Sequence, residues 1–245
     1  MKTNKLFVSG KNAAREALLH MPHAVTRVFV AKTFNDHDIH ILIKKAGVEV
    51  SPLQSGEARA DLKGNASSQG IIVQLSLQNI LLPFEKFIDS IAITPNTALV
   101  LLTGVEDPHN VGAIIRSAAA FGASAVLMPK ERQSPITAAV IKASAGMAFQ
   151  LPLVTIPSPQ AVLPMLKKRG FKIYALAAGK QTISEASFPS PAVFVFGNEG
   201  LGIEKTIRAL CDETLSIPMQ KEAESLNVAA SAAVALYVWS SKRSA

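Results

Sequence analysis

The feature that most constrains this chain is a regular alternation of short apolar segments and helix-length segments that begins at residue 97. The apolar segments are hydrophobic at successive positions, so strands formed from them would be buried on both faces. Such strands, separated by helices, are typical of a parallel sheet covered on two sides, and we predict a doubly wound α/β domain. Strands are predicted at 98–102, 125–128, 153–156, 172–177, 192–196 and 214–217, and helices at 111–121, 137–148, 159–168, 203–210 and 226–240.

The first 76 residues predict a smaller α/β unit. A helix is expected to open at Ser9, and a polar, glycine-bounded surface loop is expected at 64–70. The other elements of this unit are a strand at 25–31, a helix at 36–46 and strands at 48–51 and 71–75. Beyond residue 76 the pattern weakens to one short helix between two prolines. We therefore predict an N-terminal domain over 1–76, a linker over 77–95 and a larger domain over 96–245.

The composition limits the classes of function. Lys and Arg number 25 against 18 Asp and Glu, and the net charge of +7 suits a polyanionic partner such as a nucleic acid. The single cysteine, Cys211, excludes an intramolecular disulfide framework and suits a reducing compartment. The two H-x-x-H pairs lack a third ligand, so no metal site is predicted. No apolar stretch approaches the ~20 residues that cross a bilayer, and we expect a cytoplasmic protein without a membrane partner.

Ligands of a parallel sheet bind beyond the carboxyl ends of its strands, so the turns there are candidate sites. The first candidate turn runs from Gly104 to Gly122, with Asn110 predicted as a helix cap and Arg116 inside the helix. The helical neighbours of Arg116 are all small, namely Gly112, Ala113, Ala119 and Ala120. They leave room for a ligand or a partner backbone, and a guanidinium suits phosphate or developing negative charge. The alternative is an alanine-rich packing helix with an ion-paired arginine.

The second candidate turn, F-V-F-G-N-E-G-L-G-I at 194–203, carries three glycines, Gly197, Gly200 and Gly202. They would let backbone amides approach a ligand closely. The order differs from the G-x-G-x-x-G of dinucleotide sites, and Glu199 would repel a pyrophosphate, which disfavours a nicotinamide-dependent dehydrogenase. A neutral or cationic ligand fits better. The alternative is a glycine-rich turn that binds nothing.

The third candidate turn leads into the last helix. Ser225 is predicted to cap that helix and Asn227 to lie in its first turn, so both point toward the glycine turn. The helix is rich in alanine, which permits close helix packing within the fold or across a dimer. Ser225 is disfavoured as a hydrolase nucleophile because the chain has no G-x-S-x-G elbow around it.

Together, N-V-G-A-I-I-R at 110–116, F-G-N-E-G-L-G at 196–202 and I-P-M with S-L-N within 217–227 resemble, in order and spacing, the three motifs of the SpoU family of RNA ribose 2′-O-methyltransferases. The resemblance implies an N-terminal L30e-like RNA-binding domain and a catalytic α/β domain with a trefoil knot, an exception to the unknotted-chain rule. It also implies methyl transfer from S-adenosylmethionine to an RNA ribose, with a guanosine of 23S ribosomal RNA favoured. The family works as homodimers with the active site at the subunit junction. Transfer RNA as substrate and a non-catalytic RNA-binding protein of the same fold stay open as alternatives.

The resemblance also assigns roles to residues. The implied catalytic group is Arg116, Asn110, Glu199, Ser225 and Asn227, and the implied cofactor-binding group is Gly197, Gly200, Gly202, Ile217 and Leu226. A guanidinium is a poor base, so we expect Arg116 to bind a phosphate and stabilise the forming alkoxide. Two positions depart from the family pattern: Lys221 replaces a glycine after I-P-M, and Ser68 replaces a histidine before Gln-Gly.

Overall fold

A computed structural model describes residues 4–53, 69–220 and 222–243, with the backbone but not the side chain of Lys180. Of the loop expected at 64–70, only Gln69 and Gly70 belong to the described residues. The two departures from the family pattern, Ser68 and Lys221, lie outside them.

Over its described residues, 4–53 and 69–76, the N-terminal unit contains a four-stranded mixed sheet and two α-helices. Its elements are β1 (Lys5–Ser9), α1 (Lys11–His20), β2 (Val25–Val30), α2 (His37–Ala46), β3 (Glu49–Pro52) and β4 (Ile71–Ser76). The strand order is β1-β4-β2-β3, and only the β2–β3 pair is parallel. Strand β1 was not predicted, because five residues with two buried apolar side chains, Leu6 and Val8, are too short a pattern to recognise.

The larger unit is a seven-stranded sheet in which every pairing is parallel. Its strands are β5 (Leu81–Pro83), β6 (Ala98–Thr103), β7 (Ala125–Pro129), β8 (Leu153–Ile156), β9 (Lys172–Thr182), β10 (Ala192–Gly197) and β11 (Glu213–Ser216). They lie in the order β11-β9-β10-β6-β7-β8-β5. The predicted parallel α/β architecture is therefore confirmed. The trefoil knot and the L30e likeness of the first unit stay predictions.

Helices cover both faces of this sheet. They are α3 (Leu77–Ile80), α4 (Phe84–Ser90), α5 (Pro108–Ala120), α6 (Ala138–Ala143), α7 (Pro159–Lys168), α8 (Lys205–Arg208) and α9 (Val228–Ser241). The side chains of β10 alternate between two apolar clusters: Phe194 packs with α5, α6 and α9, and Val193 packs with α4, α7 and α8. Among the described residues, no helix has both the length and the apolar character needed to cross a bilayer.

Four predicted helices of the larger unit differ from the structure in their bounds. The helix expected at 111–121 spans Pro108–Ala120. The helix expected at 137–148 ends at Ala143, because Ala145 and Gly146 adopt left-handed φ values of 51° and 85°. A separate 3-10 turn follows at Met147–Phe149. The helix expected at 203–210 shortens to the four residues of α8, and the last helix begins at Val228 instead of residue 226.

The segment 77–95, predicted to be a linker, is largely built into the larger sheet. Strand β5 pairs in parallel with β8, aligning Leu81 with Leu153. Helix α4 buries Phe84, Phe87 and Ile88, an i, i+3, i+4 pattern that marks one helix face. The described chain thus passes from one sheet to the other within the four residues of α3.

The N-terminal unit contacts the larger one through α1. Gly146 lies so close to Glu16 that a Cβ on it would stand 2.5 Å from the Cγ of Glu16. The Nε2 of Gln150 donates a hydrogen bond of 2.8 Å to the Glu16 carboxylate. Residues of both units also share one apolar cluster.

The strand order locates the crevice of the sheet. The chain proceeds outward from β6 through β7 to β8, whereas β9, β10 and β11 lie on the other side of β6. The order therefore reverses between β6 and β10, which is where open α/β sheets bind ligands beyond their carboxyl ends. The loops after β6 and β10 are the first and second candidate turns.

Candidate active site

A cavity of about 310 Å³ opens at the carboxyl ends of β10 and β11, beside the middle of β9. Its walls include the apolar residues Leu176, Phe196 and Leu215. Seven of the ten predicted site residues line it: Gly197, Glu199, Gly200, Gly202, Ile217, Ser225 and Leu226. The second and third candidate turns, which are separate in sequence, therefore form one concave site.

The glycine turn is closed by its own backbone. Asn198 and Gly202 exchange two main-chain hydrogen bonds of 2.9 Å, so the chain folds back directly over Gly197. A Cβ on Gly197 would stand 2.2 Å from the carbonyl carbon of Gly202, and Gly202 itself has a left-handed φ of 69°. Gly200 differs from both, because the nearest atom to its Cβ position is the Oδ1 of Asn198 at 3.7 Å. Backbone geometry thus requires glycine at 197 and favours it at 202.

Asn198 organises the turn, although the sequence analysis did not single it out. Its Oδ1 accepts hydrogen bonds from the amides of Gly200 (2.9 Å) and Leu201 (3.0 Å). Its Nδ2 donates to the carbonyl oxygen of Gly104 at 2.8 Å, across to the loop after β6. Asparagine is a common turn former, and its position between two glycines of the turn was the one available signal.

Glu199 is held by donors of the first turn. Its carboxylate accepts hydrogen bonds from the Nδ2 of Asn110 (2.9 Å) and from the amides of Asp107 (3.3 Å) and Glu106 (3.4 Å). Partial burial raises the pKa of the Glu199 carboxyl, but these hydrogen bonds outweigh it and hold the pKa below its ordinary value. Glu199 is therefore a fixed negative charge at the rim of the cavity.

The network continues to the third turn. The Oδ1 of Asn227 accepts from the amides of Ala229 (2.9 Å) and Ala230 (3.4 Å) at the start of α9. Its Nδ2 then donates to the Oδ1 of Asn110 at 3.0 Å. Asn110, which is 9% exposed, thus links Glu199 to Asn227, and the three candidate turns meet through side chains.

Two predicted helix caps are wrong. Asp107 caps α5, accepting from the amide of His109 at 2.8 Å, because Pro108 takes the first helical position. Asn110 therefore lies inside the helix, where its amide is free to reach Glu199. Asn227, and not Ser225, caps α9, and Ser225 is an exposed residue at the cavity wall.

The sequence pattern of the SpoU rRNA methylase family matches residues 97–237, more than half of the chain. The chain belongs to this family. The matched range contains all three turns and the whole of the cavity lining.

Relatives of this SpoU chain match it almost from end to end. The 23S rRNA (guanosine-2′-O-)-methyltransferase RlmB of Ralstonia nicotianae is 32% identical over 97% of this chain and 95% of the relative. A protein of the same name from Vibrio parahaemolyticus is 32% identical over 94% of each chain.

Solved structures of methyltransferases share the fold. The SpoU methyltransferase AviRb from Streptomyces viridochromogenes, in complex with AdoMet, superposes with a TM-score of 0.86 at 24% identity. The match covers 100% of this chain and 92% of AviRb. An AdoMet-bound rRNA methyltransferase from Sinorhizobium meliloti gives a TM-score of 0.79 at 20% identity, over 97% of this chain and 87% of that one.

Arg116 of this SpoU chain lies apart from the cavity. It is six residues beyond Asn110 in α5, which places it about 9 Å along the helix and about a third of a turn around it. Its side chain is exposed and has neither an ion pair nor a hydrogen bond within the described residues. Within the described residues, Arg116 is therefore not the ion-paired arginine of the alternative interpretation. The small residue Gly112 admits another helix, since its Cβ position is 2.4 Å from the Cβ of Ala143 in α6.

Gln133 is a second residue of this SpoU site that was not predicted from the sequence. The side chain of Gln133, in the loop after β7, pairs with the backbone of Val105 at both ends of its amide: Oε1 accepts at 3.1 Å and Nε2 donates at 2.7 Å. The amide of Ser134 donates to the same carbonyl at 3.0 Å. The loops after β6, β7 and β10 are thus joined side by side. Over the ranges that the structure describes, no three His, Cys, Asp or Glu side chains are grouped closely enough to hold a metal ion.

Proposed function

We propose that this chain transfers a methyl group from S-adenosylmethionine to a ribose 2′-hydroxyl of RNA, with a guanosine of 23S ribosomal RNA as the target. The observation that carries the proposal is the convergence of the three SpoU motifs on one cavity through the Glu199–Asn110–Asn227 network. Near full-length similarity to proteins named for this reaction supports the choice of substrate.

The cavity fits S-adenosylmethionine in size and chemistry. Its volume of about 310 Å³ lies at the lower end of the range of about 300–1,000 Å³ for small-molecule sites. Leu176, Phe196 and Leu215 supply apolar walls for an adenine ring, and the glycine turn leaves backbone groups accessible. Two carboxylates, Glu199 and Glu224, line the cavity and suit a ligand that carries a positive sulfur. When bound, this cofactor supplies an electrophilic methyl group.

The residues of the chain position the reactants. Backbone groups at Gly197, Ile217 and Leu226 hold the adenosine part, and Gly200 and Gly202 shape the turn around it. Asn110 and Asn227 keep Glu199 in one orientation, and Ser225 faces the same cavity. Methyl transfer needs the acceptor oxygen about 3–3.5 Å from the methyl carbon and in line with its bond, so rigid loops contribute directly to the rate.

Arg116 acts, in this proposal, on the site of a second copy of the chain. It is exposed, unpaired among the described residues and outside the cavity of its own chain. The neighbouring face of α9 exposes Val234 (37%) and Tyr237 (59%), which a dimer would bury. In a homodimer packed through α5 and α9, Arg116 would bind the phosphate beside the target ribose and stabilise the forming alkoxide.

RNA binding by the N-terminal unit completes the proposal. The overall charge of +7 favours a polyanionic partner, and an RNA target together with a single cysteine suits the cytoplasm. Association of both units with RNA would place the target nucleotide at the crevice between β6 and β10.

The test is methylation of unmodified 23S rRNA, transcribed in vitro, by purified protein with labelled S-adenosylmethionine. Mapping of 2′-O-methyl positions should give one guanosine. Calorimetry with S-adenosylmethionine alone separates the alternatives: no binding at millimolar concentration favours a non-catalytic RNA-binding protein. Methylation of transfer RNA in place of 23S rRNA would keep the reaction and overturn the substrate.

A further inference from the structure

The loop after β7 holds an arginine in a strained conformation. Arg132 has a φ of 52°, in the left-handed region that residues other than glycine, asparagine and aspartate rarely adopt. Such a conformation is strained and persists only where its surroundings impose it. The side chain of Arg132 is exposed, so no packing of that side chain explains the strain.

The surroundings that impose the strain are in the adjacent loop of the site. Gln133 pairs with both backbone groups of Val105. A Cβ added to Gly104 would stand 3.5 Å from the carbonyl oxygen of Arg132, so the two loops are in contact there. Gly104 in turn accepts from Asn198. The backbone of Arg132 is therefore fixed relative to the glycine turn, because Gln133 holds Val105 and Asn198 holds Gly104.

The strand order gives the distance of this loop from the reacting centre. β7 is separated from β10 only by β6, so at an interstrand spacing of about 4.8 Å the two loops begin about 10 Å apart. The exposed side chain of Arg132 therefore lies beside the crevice between β6 and β10, on the side of β6 that faces away from the cavity.

The charges around Arg132 leave it available. Within the described residues its guanidinium has no ion pair or hydrogen bond, and neither has the ammonium group of Lys130. Of the carboxylates in the adjoining turns, Glu199 and Asp107 are engaged by backbone and side-chain donors. Glu106 and Glu131 are exposed to solvent, where an ion pair with an arginine is worth little.

We propose that Arg132 binds a phosphate of the RNA backbone next to the target nucleotide, and that its strained backbone aims the guanidinium at that phosphate. This inference rests on the proposed function, because it assumes an RNA substrate at this crevice. A guanidinium presents paired donors that match phosphate oxygens, so one direct contact is expected.

The test uses Arg132→Gly, because glycine adopts this φ without strain. If the strain serves binding, the variant keeps or gains stability against urea while RNA binding weakens. We expect the KM for unmodified 23S rRNA to rise at least about fivefold, kcat and S-adenosylmethionine affinity to stay unchanged, and the salt dependence of RNA binding to fall by about one unit in log–log slope. The matched control is Lys168→Ala, which removes an exposed cation at the end of α7, on the opposite edge of the sheet.

The outcomes separate this inference from the proposed function. If the wild-type chain methylates no RNA, the proposed function fails first. If the wild type is active and Arg132→Gly behaves like Lys168→Ala, Arg132 contacts no phosphate. Should Arg132→Gly lose stability, Arg132→Asn, which also tolerates the left-handed region, repeats the measurement, and an unchanged KM and salt slope in a stable variant would overturn the proposal.

Discussion

Gly197→Ala tests whether the closed glycine turn builds the cofactor cavity. The added methyl carbon would stand 2.2 Å from the carbonyl carbon of Gly202, 2.3 Å from its oxygen and 2.5 Å from the nitrogen of Ile203. Carbon atoms in contact are normally about 3.5–4.0 Å apart, so the turn must move by more than about 1 Å. All three neighbours are backbone atoms, and no rotamer change can relieve the clash.

The movement breaks the two hydrogen bonds between Asn198 and Gly202. Each is worth about 1 kcal/mol, and the residual overpacking costs about 1–3 kcal/mol more. We therefore expect the free energy of unfolding to fall by about 3–5 kcal/mol, and affinity for S-adenosylmethionine to be lost in whatever fraction stays folded. Urea unfolding measures the first quantity and calorimetry the second.

The matched control is Gly200→Ala, in the same turn. Its methyl group would meet only the Oδ1 of Asn198 at 3.7 Å, an ordinary contact, so stability should change by less than about 1 kcal/mol. Equal losses in the two variants would show that the turn is flexible and that the close approach at Gly197 does not shape the cavity.

Three further predictions concern the reaction and the network. Arg116→Ala should abolish methylation while the affinity for S-adenosylmethionine stays within about twofold, because Arg116 lies outside the cavity of its own chain. A methylation assay checks the first expectation and calorimetry the second. Retained turnover would remove Arg116 from the mechanism. The lowered pKa of Glu199 stabilises the fold above the ordinary pKa of a glutamate, and this contribution is lost as pH falls through the folded-state pKa. The melting temperatures of wild type and Glu199→Gln should therefore converge as pH falls below that ordinary value, and a constant difference would mean that the charge is unimportant. Asn110→Ala and Asn227→Ala should be non-additive in a double-mutant cycle, with a coupling of about 0.5–3 kcal/mol in urea unfolding; additive effects would show that the 3.0 Å bond between them carries no energy.

The sequence predicts the elements whose pattern is local and long enough. Strand β10 is recognisable because Val193 and Phe194 are both apolar yet face opposite sides of the sheet. Strand β5 is not recognisable, because it has only three residues, follows a short helix directly and ends in a proline. The extension of β9 to Thr182 depends on its pairing with β11, which lies some 30 residues further along the chain and includes a register shift at Leu215.

Seven of the ten predicted site residues line the cavity, but the hydrogen bonds that join the three turns were not predicted. The glycines and Asn227 stand out in sequence because turns and helix ends need those residue types. The choice of the residue that caps α5 depends on Pro108, which takes the first helical position and makes Asp107 the cap. Asn110 then lies inside the helix, where its side chain donates to Glu199. Gln133 and Asn198 act through side-chain bonds to backbone groups 28 and 94 residues away, and no local pattern encodes such bonds.

The start of α9 fixes the direction of each hydrogen bond between Asn227, Asn110 and Glu199. The free amides at the start of α9 require an acceptor, so Asn227 must turn its oxygen toward them and its Nδ2 outward. Asn110 then has to present its oxygen to Asn227 and its own Nδ2 to Glu199, and a donor at that position favours the charged form of the carboxylate. The last helix therefore contributes to the charge at the cavity rim through two asparagine amides, in addition to the backbone amides of Glu106 and Asp107. The carboxylate of Glu199 is thus oriented by Asn110, and Asn110 is itself oriented by Asn227, which lies 117 residues further along the chain.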